Sequence, residues 1–219
     1  MTGGERVERV GLIGDVHTER DRLALALRFL STQNVDRLLC TGDLADGPGD
    51  GADVDECVAL LESHDVLTVS GNHDRWIRDH EMRDLSDATE PDEIEPETGD
   101  YLDRLPQTIE LSTPAGPALL CHGLGNDDMA LVQPHDHGHA LNDNARLQEL
   151  LREGRYRYVL NGHSHRPMVR TIDGLTIVNA GTLYTGQRPC VLVVDFGEKR
   201  VTFFDMESPE PIESRTEPL

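Results

Sequence analysis

Along this chain, short apolar runs repeatedly end in a polar residue able to hold a ligand. Val10 to Ile13 runs into Gly14-Asp15, Val35 to Cys40 into Thr41-Gly42-Asp43, and Val66 to Ser70 into Gly71-Asn72. Helical patterns separate these runs. Leu23, Leu27 and Leu30 share one face of a segment from Glu19 to Leu30, and a second helix covers Val54 to Ser63. The loop before that helix, Asp46-Gly47-Pro48-Gly49-Asp50-Gly51, disfavours both helix and strand. Strand–helix–strand–helix–strand predicts a parallel sheet with helical crossovers, and in such sheets ligands gather at the carboxyl ends of the strands.

The pattern changes in the second half. Strands are predicted at Thr108–Ser112, Ala118–Cys121, Tyr156–Leu160, Met168–Ile172, Leu175–Val178, Val191–Asp195 and Arg200–Phe204, with a helix from Asp143 to Arg152. Tight turns such as Asp173-Gly174 imply a second sheet packed on the first. Two of these strands also lead into polar groups, His122 and the His163/His165 pair. The expected fold class is α/β, a two-sheet β-sandwich flanked by helices. One domain is expected over residues 1–206, with an acidic surface excursion at 79–100 and a loop near the cleft at 124–140. Residues 207–219 read as a polar tail.

Charge narrows the function classes. The 41 Asp and Glu against 20 Lys and Arg give a formal charge of -21, which repels nucleic-acid backbone and anionic lipid. Extended nucleic-acid binding and membrane association are therefore not expected, whereas a small phosphate ester remains open because bound cations reverse the sign inside a cleft. Homo-oligomerisation is compatible with the sequence. The beginning of the chain lacks the apolar core of a signal peptide, and the expected location is cytoplasmic. Cys40, Cys57, Cys121 and Cys190 form no CxxC pair, and Cys40 and Cys121 read as small buried hydrophobes.

Taken singly, the polar residues at the strand ends have plain readings. Asp15-Val16-His17 could be a turn Asp beside an exposed His, Gly42-Asp43 a turn, Asp46 a polar turn residue, and Asn72-His73-Asp74 the cap of a helix beginning near Arg75. Gly162-His163-Ser164-His165 is harder to explain without a metal. Two imidazoles two residues apart in an extended loop point the same way.

As an ordered set, these blocks resemble the calcineurin-like metallophosphoesterases, of the small bacterial and archaeal phosphodiesterase type. The family pattern runs D-x-H, G-D-x-x-D, G-N-H-D/E, a His before Gly, and G-H-x-H. Here it is met by Asp15-Val16-His17, Gly42-Asp43-Leu44-Ala45-Asp46, Gly71-Asn72-His73-Asp74, His122-Gly123 and Gly162-His163-Ser164-His165. The resemblance implies a four-layer αββα fold and two divalent metal ions. Asp15, His17 and His165 would hold one ion, Asn72, His122 and His163 the other, and Asp43 would bridge them. Oxygen and nitrogen ligands without thiolate suit Mn²⁺, Fe, Zn, Ni or Co, and Mn²⁺ is the ion expected. A hydroxide bridging the ions would be the nucleophile. The resemblance makes His73 the general acid, with Asp74 fixing its orientation.

One departure bears on substrate. The Ser/Thr protein phosphatases and diadenosine tetraphosphatases of the superfamily carry G-D-x-V-D-R-G, whose Arg contacts phosphate; Gly47 stands at that position here. The expected activity is therefore phosphodiester hydrolysis, with a phosphomonoesterase of the same mechanism or a non-catalytic metal-binding scaffold as alternatives. Arg75 could contact phosphate or simply be an exposed Arg at a helix start. His135, His137 and His139 read as exposed loop histidines rather than a further metal site.

Overall fold

A computed structural model describes residues 5–219. The elements, in order, are strands β1 (Glu5–Arg6) and β2 (Arg9–Ile13), helix α1 (Arg20–Ser31), β3 (Arg37–Cys40), α2 (Gly51–Ser63), β4 (Leu67–Thr68) and α3 (Asn72–Asp79). After a 3-10 turn at Pro91–Glu93 come α4 (Pro96–Arg104), β5 (Thr108–Thr113), β6 (Gly116–Cys121), α5 (His139–Asn142) and α6 (Ala145–Glu153). The chain closes with β7 (Tyr158–Asn161), β8 (Met168–Ile172), β9 (Leu175–Asn179), β10 (Cys190–Asp195), β11 (Arg200–Asp205) and β12 (Ile212–Pro218). Among the described residues, no helix is long and apolar enough to cross a membrane.

Two six-stranded sheets result, in the orders β1-β5-β6-β7-β9-β8 and β12-β11-β10-β2-β3-β4. Alternation along the strands explains why they stack. Side chains two apart share a face, so Leu12, Leu39 and Leu192 of one sheet pack between the sheets with Leu120, Leu160 and Val178 of the other. Their neighbours Ile13, Cys40 and Val191 face outward onto Leu23, Leu27 and Leu30 of α1 and Val54 and Leu61 of α2. On the far side, Leu119, Val159 and Ile177 pack against Leu147 and Leu150 of α6. The result is the αββα sandwich, with the central strands buried on both faces. All four cysteines are free and buried within it.

Local signals place the helices. Asp50 and Asp53 close a capping box at the start of α2, and Asn144 accepts the Leu147 N–H at the start of α6, which ends on Gly154 in the left-handed region.

Three expectations need correction. The segment 212–218 is a strand, not a polar tail: β12 pairs antiparallel with β11 at the sheet edge. Helix α3 begins at Asn72 rather than near Arg75, with Gly71 as its cap and the Asp74 carboxylate accepting the Gly71 N–H at 2.8 Å. The excursion at 79–100 is more than surface, because it carries Arg83 and Thr89 onto buried Asp46.

Candidate metal centre

Parallel pairing of β2, β3 and β4 in one sheet, and of β6 and β7 in the other, points five strand ends the same way at the seam between the sheets. Asp15 and His17 follow β2, Asp43 follows β3, Asn72 opens α3 after β4, His122 follows β6, and His163 and His165 follow β7. The Asp and His side chains fall into two groups, each with ligand atoms within 4.8 Å of one another. One is Asp15, His17, Asp43 and His165; the other is Asp43, His122 and His163. Asp43 belongs to both, and Asn72 Oδ1 lies 2.9 Å from His122 Nε2 beside the second.

The backbone that carries these side chains is strained. His17, Asp43, Asp46, His163 and His165 all have φ in the left-handed region, a conformation that disfavours side chains and costs roughly 1–3 kcal/mol each. Hydrogen bonds hold it in place. The Asp43 carbonyl accepts the Val16 and His17 N–H groups at 3.0 and 2.8 Å. Asn161 donates to the Gly123 carbonyl at 2.8 Å, and Asn179 donates to the Gly162 carbonyl, so two buried amides anchor the histidine loops. Gly162 itself is demanded by a close approach: a Cβ there would collide with Asp15 Oδ1.

The outer nitrogens of three imidazoles are committed. His17 Nδ1 is 2.6 Å from the Asp46 carbonyl, His122 Nδ1 is 2.7 Å from the Thr41 carbonyl, and His165 Nδ1 is 2.8 Å from Gln187 Oε1. Because these oxygens can only accept, each Nδ1 carries a hydrogen, and each Nε2 is left facing into the site, where it can hold a proton or a cation. There the Nε2 atoms of His17 and His165 lie 3.1 Å apart, and His122 Nε2 lies 3.2 Å from Asp43 Oδ2.

Asp15 gives the sharpest test of whether a cation fits. Its Oδ1 accepts from Thr41 Oγ1 and the His163 N–H, both at 3.1 Å. Its Oδ2 is buried without a geometric hydrogen-bond partner, and His165 Nε2 lies 3.0 Å away. A buried carboxylate oxygen beside converging imidazole Nε2 atoms is what a cation would satisfy.

Electrostatics point the same way. Burial works to raise the Asp43 carboxyl, yet the surrounding imidazoles, His122 foremost, hold it below the ordinary range. Burial likewise works to lower His122, but Asp43 and Asp15 push it up to about 10. Burial wins at His17 and His163, which both fall. The two carboxylates thus draw positive charge into the cleft, and an ion at Nε2 would take the place of a proton.

His73 stands apart from both groups. Its Nδ1 lies 2.8 Å from Asp46 Oδ2, and its ring packs edge-on against Trp76, with centroids 4.5 Å apart. Burial works to lower this imidazole, but the Asp46 bond lifts it above its ordinary value. Asp46 is 4% exposed and is gripped in turn by the Arg83 guanidinium at 2.9 and 2.8 Å and by the Thr89 N–H at 2.8 Å. Asp46, not Asp74, therefore orients His73. The Asp74 carboxylate points back at the main chain and accepts from the N–H groups of Gly71, Asp43 and Leu44 at 2.7–2.8 Å. Burial and nearby Asp43 push Asp74 up to about 6.

Sequence reasoning missed Arg83, Thr89, Gln187, Asn161 and Asn179. Only Arg83 carried a signal, as the one Arg or Lys among the acidic residues of 79–100. Arg75 is not free for phosphate, since it pairs with Asp128 at 2.7 Å and Glu81 at 2.6 Å. This pairing ties the 124–140 loop to α3. His135, His137 and His139 are exposed and belong to neither group.

Comparison with known proteins gives the chain its relatives. Residues 9–199 match the sequence profile of the calcineurin-like phosphoesterase superfamily domain. Over 182 residues the chain is 25% identical to an uncharacterised protein of Methanocaldococcus jannaschii, covering 80% of this chain and 70% of that protein. The fold is similar to a metallophosphoesterase from Sphaerobacter thermophilus, with a TM-score of 0.68 at 20% identity over 91% of this chain and 88% of the other. It is also similar to an archaeal phosphodiesterase, with a TM-score of 0.56 at 14% identity over 90% and 99% of the two chains.

Proposed function

The chain belongs to the calcineurin-like phosphoesterase superfamily, and from that premise we propose that it is a phosphodiesterase working with two divalent ions, Mn²⁺ foremost. The observation that carries this reading is the bare Asp15 Oδ2 among imidazole Nε2 atoms whose partner nitrogens are already committed. In this reading Asp15, His17 and His165 hold one ion, Asn72, His122 and His163 the other, and Asp43 serves both. Bound there, the ions supply Lewis acidity toward the phosphoryl oxygens and activate a water.

The chain's own residues then do three things. The strained, hydrogen-bonded loops keep the ligands in place before substrate arrives, so little reorganisation is needed during reaction. Asp46 holds His73 Nδ1, which leaves Nε2 to hand a proton to the departing ester oxygen. Arg83 and Thr89 favour the ionised Asp46 and fix it, which favours the charged form of His73 and keeps it correctly turned.

Gly47 supports a diester over a monoester. A Cβ at this position would collide with the His17 carbonyl, so no side chain, and no phosphate-binding Arg, fits there with this backbone. A diester carries one negative charge on the reacting phosphate where a monoester carries up to two, and the diester needs that cation less. An archaeal phosphodiesterase among the similar folds agrees with this choice. The formal charge of -21 favours a small ester over a nucleic-acid strand.

The test compares an aryl phosphodiester with the matching monoester, with Mn²⁺ and with chelator. Metal-dependent cleavage with the diester preferred supports the reading. A monoester preference overturns the substrate class, and no turnover of either ester with ions bound leaves a scaffold.

A further inference from the structure

Beside His163 and His165 opens a cleft of about 780 Å³, lined also by Arg166, Arg188, Arg215 and Phe203. Its charge runs against the rest of the molecule. The chain has 41 acidic residues to 20 Lys and Arg, yet the cleft lining holds three Arg and one acid, Asp205.

The three arginines are not equivalent. Arg215 is a fixed wall: its guanidinium lies 3.7 Å from the Phe203 ring centroid, donates to the Pro167 carbonyl at 2.9 Å, and pairs with Glu217 at 2.6 Å. Arg166 and Arg188 are exposed, and neither guanidinium has a hydrogen-bond or ion-pair partner among the described residues. Arg188 sits on a loop with its φ at 55°, in the left-handed region. The adjacent residue, Gln187, bonds His165 Nδ1 at 2.8 Å. The loop that presents Arg188 is therefore tied to the metal centre itself. Across the centre, the space bordered by His122, Arg75 and Arg78 is only about 30 Å³, and both of those arginines are already paired.

We propose that this cleft is a subsite for a second phosphate on the substrate, with Arg166 and Arg188 gripping it while the scissile phosphate sits at the metal centre. The inference rests on the phosphodiesterase reading and names its substrate class: a small organic phosphodiester that carries a further phosphoryl group on the half lying over the His163–Arg166 loop. Guanidinium–phosphate bonds are charge-assisted and among the stronger polar contacts, worth about 10–100-fold in affinity for such a pair.

The test uses two p-nitrophenyl alkyl phosphates whose short alkyl arm ends in a hydroxyl or in a phosphate. With Mn²⁺-loaded wild type at low salt, kcat/KM for the phosphate-ended ester should exceed that for the hydroxyl-ended one about 10–100-fold, chiefly through KM. In the double variant Arg166→Ala/Arg188→Ala the ratio should fall to near one. A ratio near one in wild type, or a preference that survives the double variant, overturns the subsite. If the hydroxyl-ended ester is cleaved but shows no disadvantage, the subsite fails while the phosphodiesterase reading stands. If neither ester is cleaved, the phosphodiesterase reading fails, and calorimetry with propane-1,3-diyl bisphosphate decides the subsite. Binding at least tenfold weaker in the double variant supports it, and equal binding overturns it. Both arginines are exposed, and matching thermal melts would show that the variant is folded.

Discussion

Toward residues 79–100, charged groups around the centre are satisfied: Arg83 with Asp46, Asp46 with His73, and Arg75 with Asp128 and Glu81. Toward residues 185–189, Arg166 and Arg188 have no such partners among the described residues, and the wall gives way to a cleft of about 780 Å³. A group that must hold a proton donor in one orientation is best braced by buried bonds. Groups that must receive a substrate are best left unpaired, since any internal ion pair would have to be broken first. Under the proposed function, the braced flank serves catalysis and the open one recognition.

The contrast can be broken or sharpened by substitution. Asp43 belongs to both ligand groups, so Asp43→Asn should reduce turnover to background and lower the bound metal, read by elemental analysis. Asn tolerates the left-handed φ at this position, so circular dichroism should remain native. On the braced flank, His73→Ala should lower kcat about 10²–10⁴-fold while both ions stay bound. The loss should be larger for alkyl than for nitrophenyl leaving groups, because only the poor leaving group needs the proton. An equal loss for both would remove His73 from that role.

Arg83→Ala acts one step further out and should cost about 10–100-fold in kcat with little change in KM. Arg83→Lys should restore part of it, whereas a change confined to KM would place Arg83 in recognition instead. Because Asp46 is buried and would lose one of its partners, Arg83→Ala should also destabilise the fold by about 1–3 kcal/mol in denaturant unfolding. The smallest effect is expected at the ligand's outer partner on the open flank. Gln187→Ala frees His165 Nδ1 and should weaken metal binding by about tenfold, the low end for such a bond.

The contrast also marks what the sequence could disclose. The clustering of Asp15, Asp43, Asn72, His122, His163 and His165 was legible because each follows an apolar run, and strand and polar side chain lie within a few residues of each other. The two-sheet α/β architecture was legible in the order of apolar runs, helical patterns and tight turns, while the four αββα layers came from the family resemblance. The Asp46–Arg83 brace was not: its partners are 37 residues apart and meet only when the excursion folds back. The role given to Asp74 fell to Asp46 because the Asp74 carboxylate is taken up by the N–H groups of Gly71, Asp43 and Leu44. Strand β12 was hidden by its position. At a sheet edge with mostly exposed side chains, Ile212–Pro218 needs no apolar alternation, and its polar residues read as a tail. The Arg166/Arg188 cleft assembles from three loops and strands β10, β11 and β12 and leaves no pattern in any one of them.

Anomalous diffraction from Mn²⁺-soaked crystals tests the central claim most directly. The account predicts two peaks, both in contact with Asp43, one beside Asp15, His17 and His165 and the other beside Asn72, His122 and His163. A single peak, or strong peaks only elsewhere on the acidic surface, would contradict it.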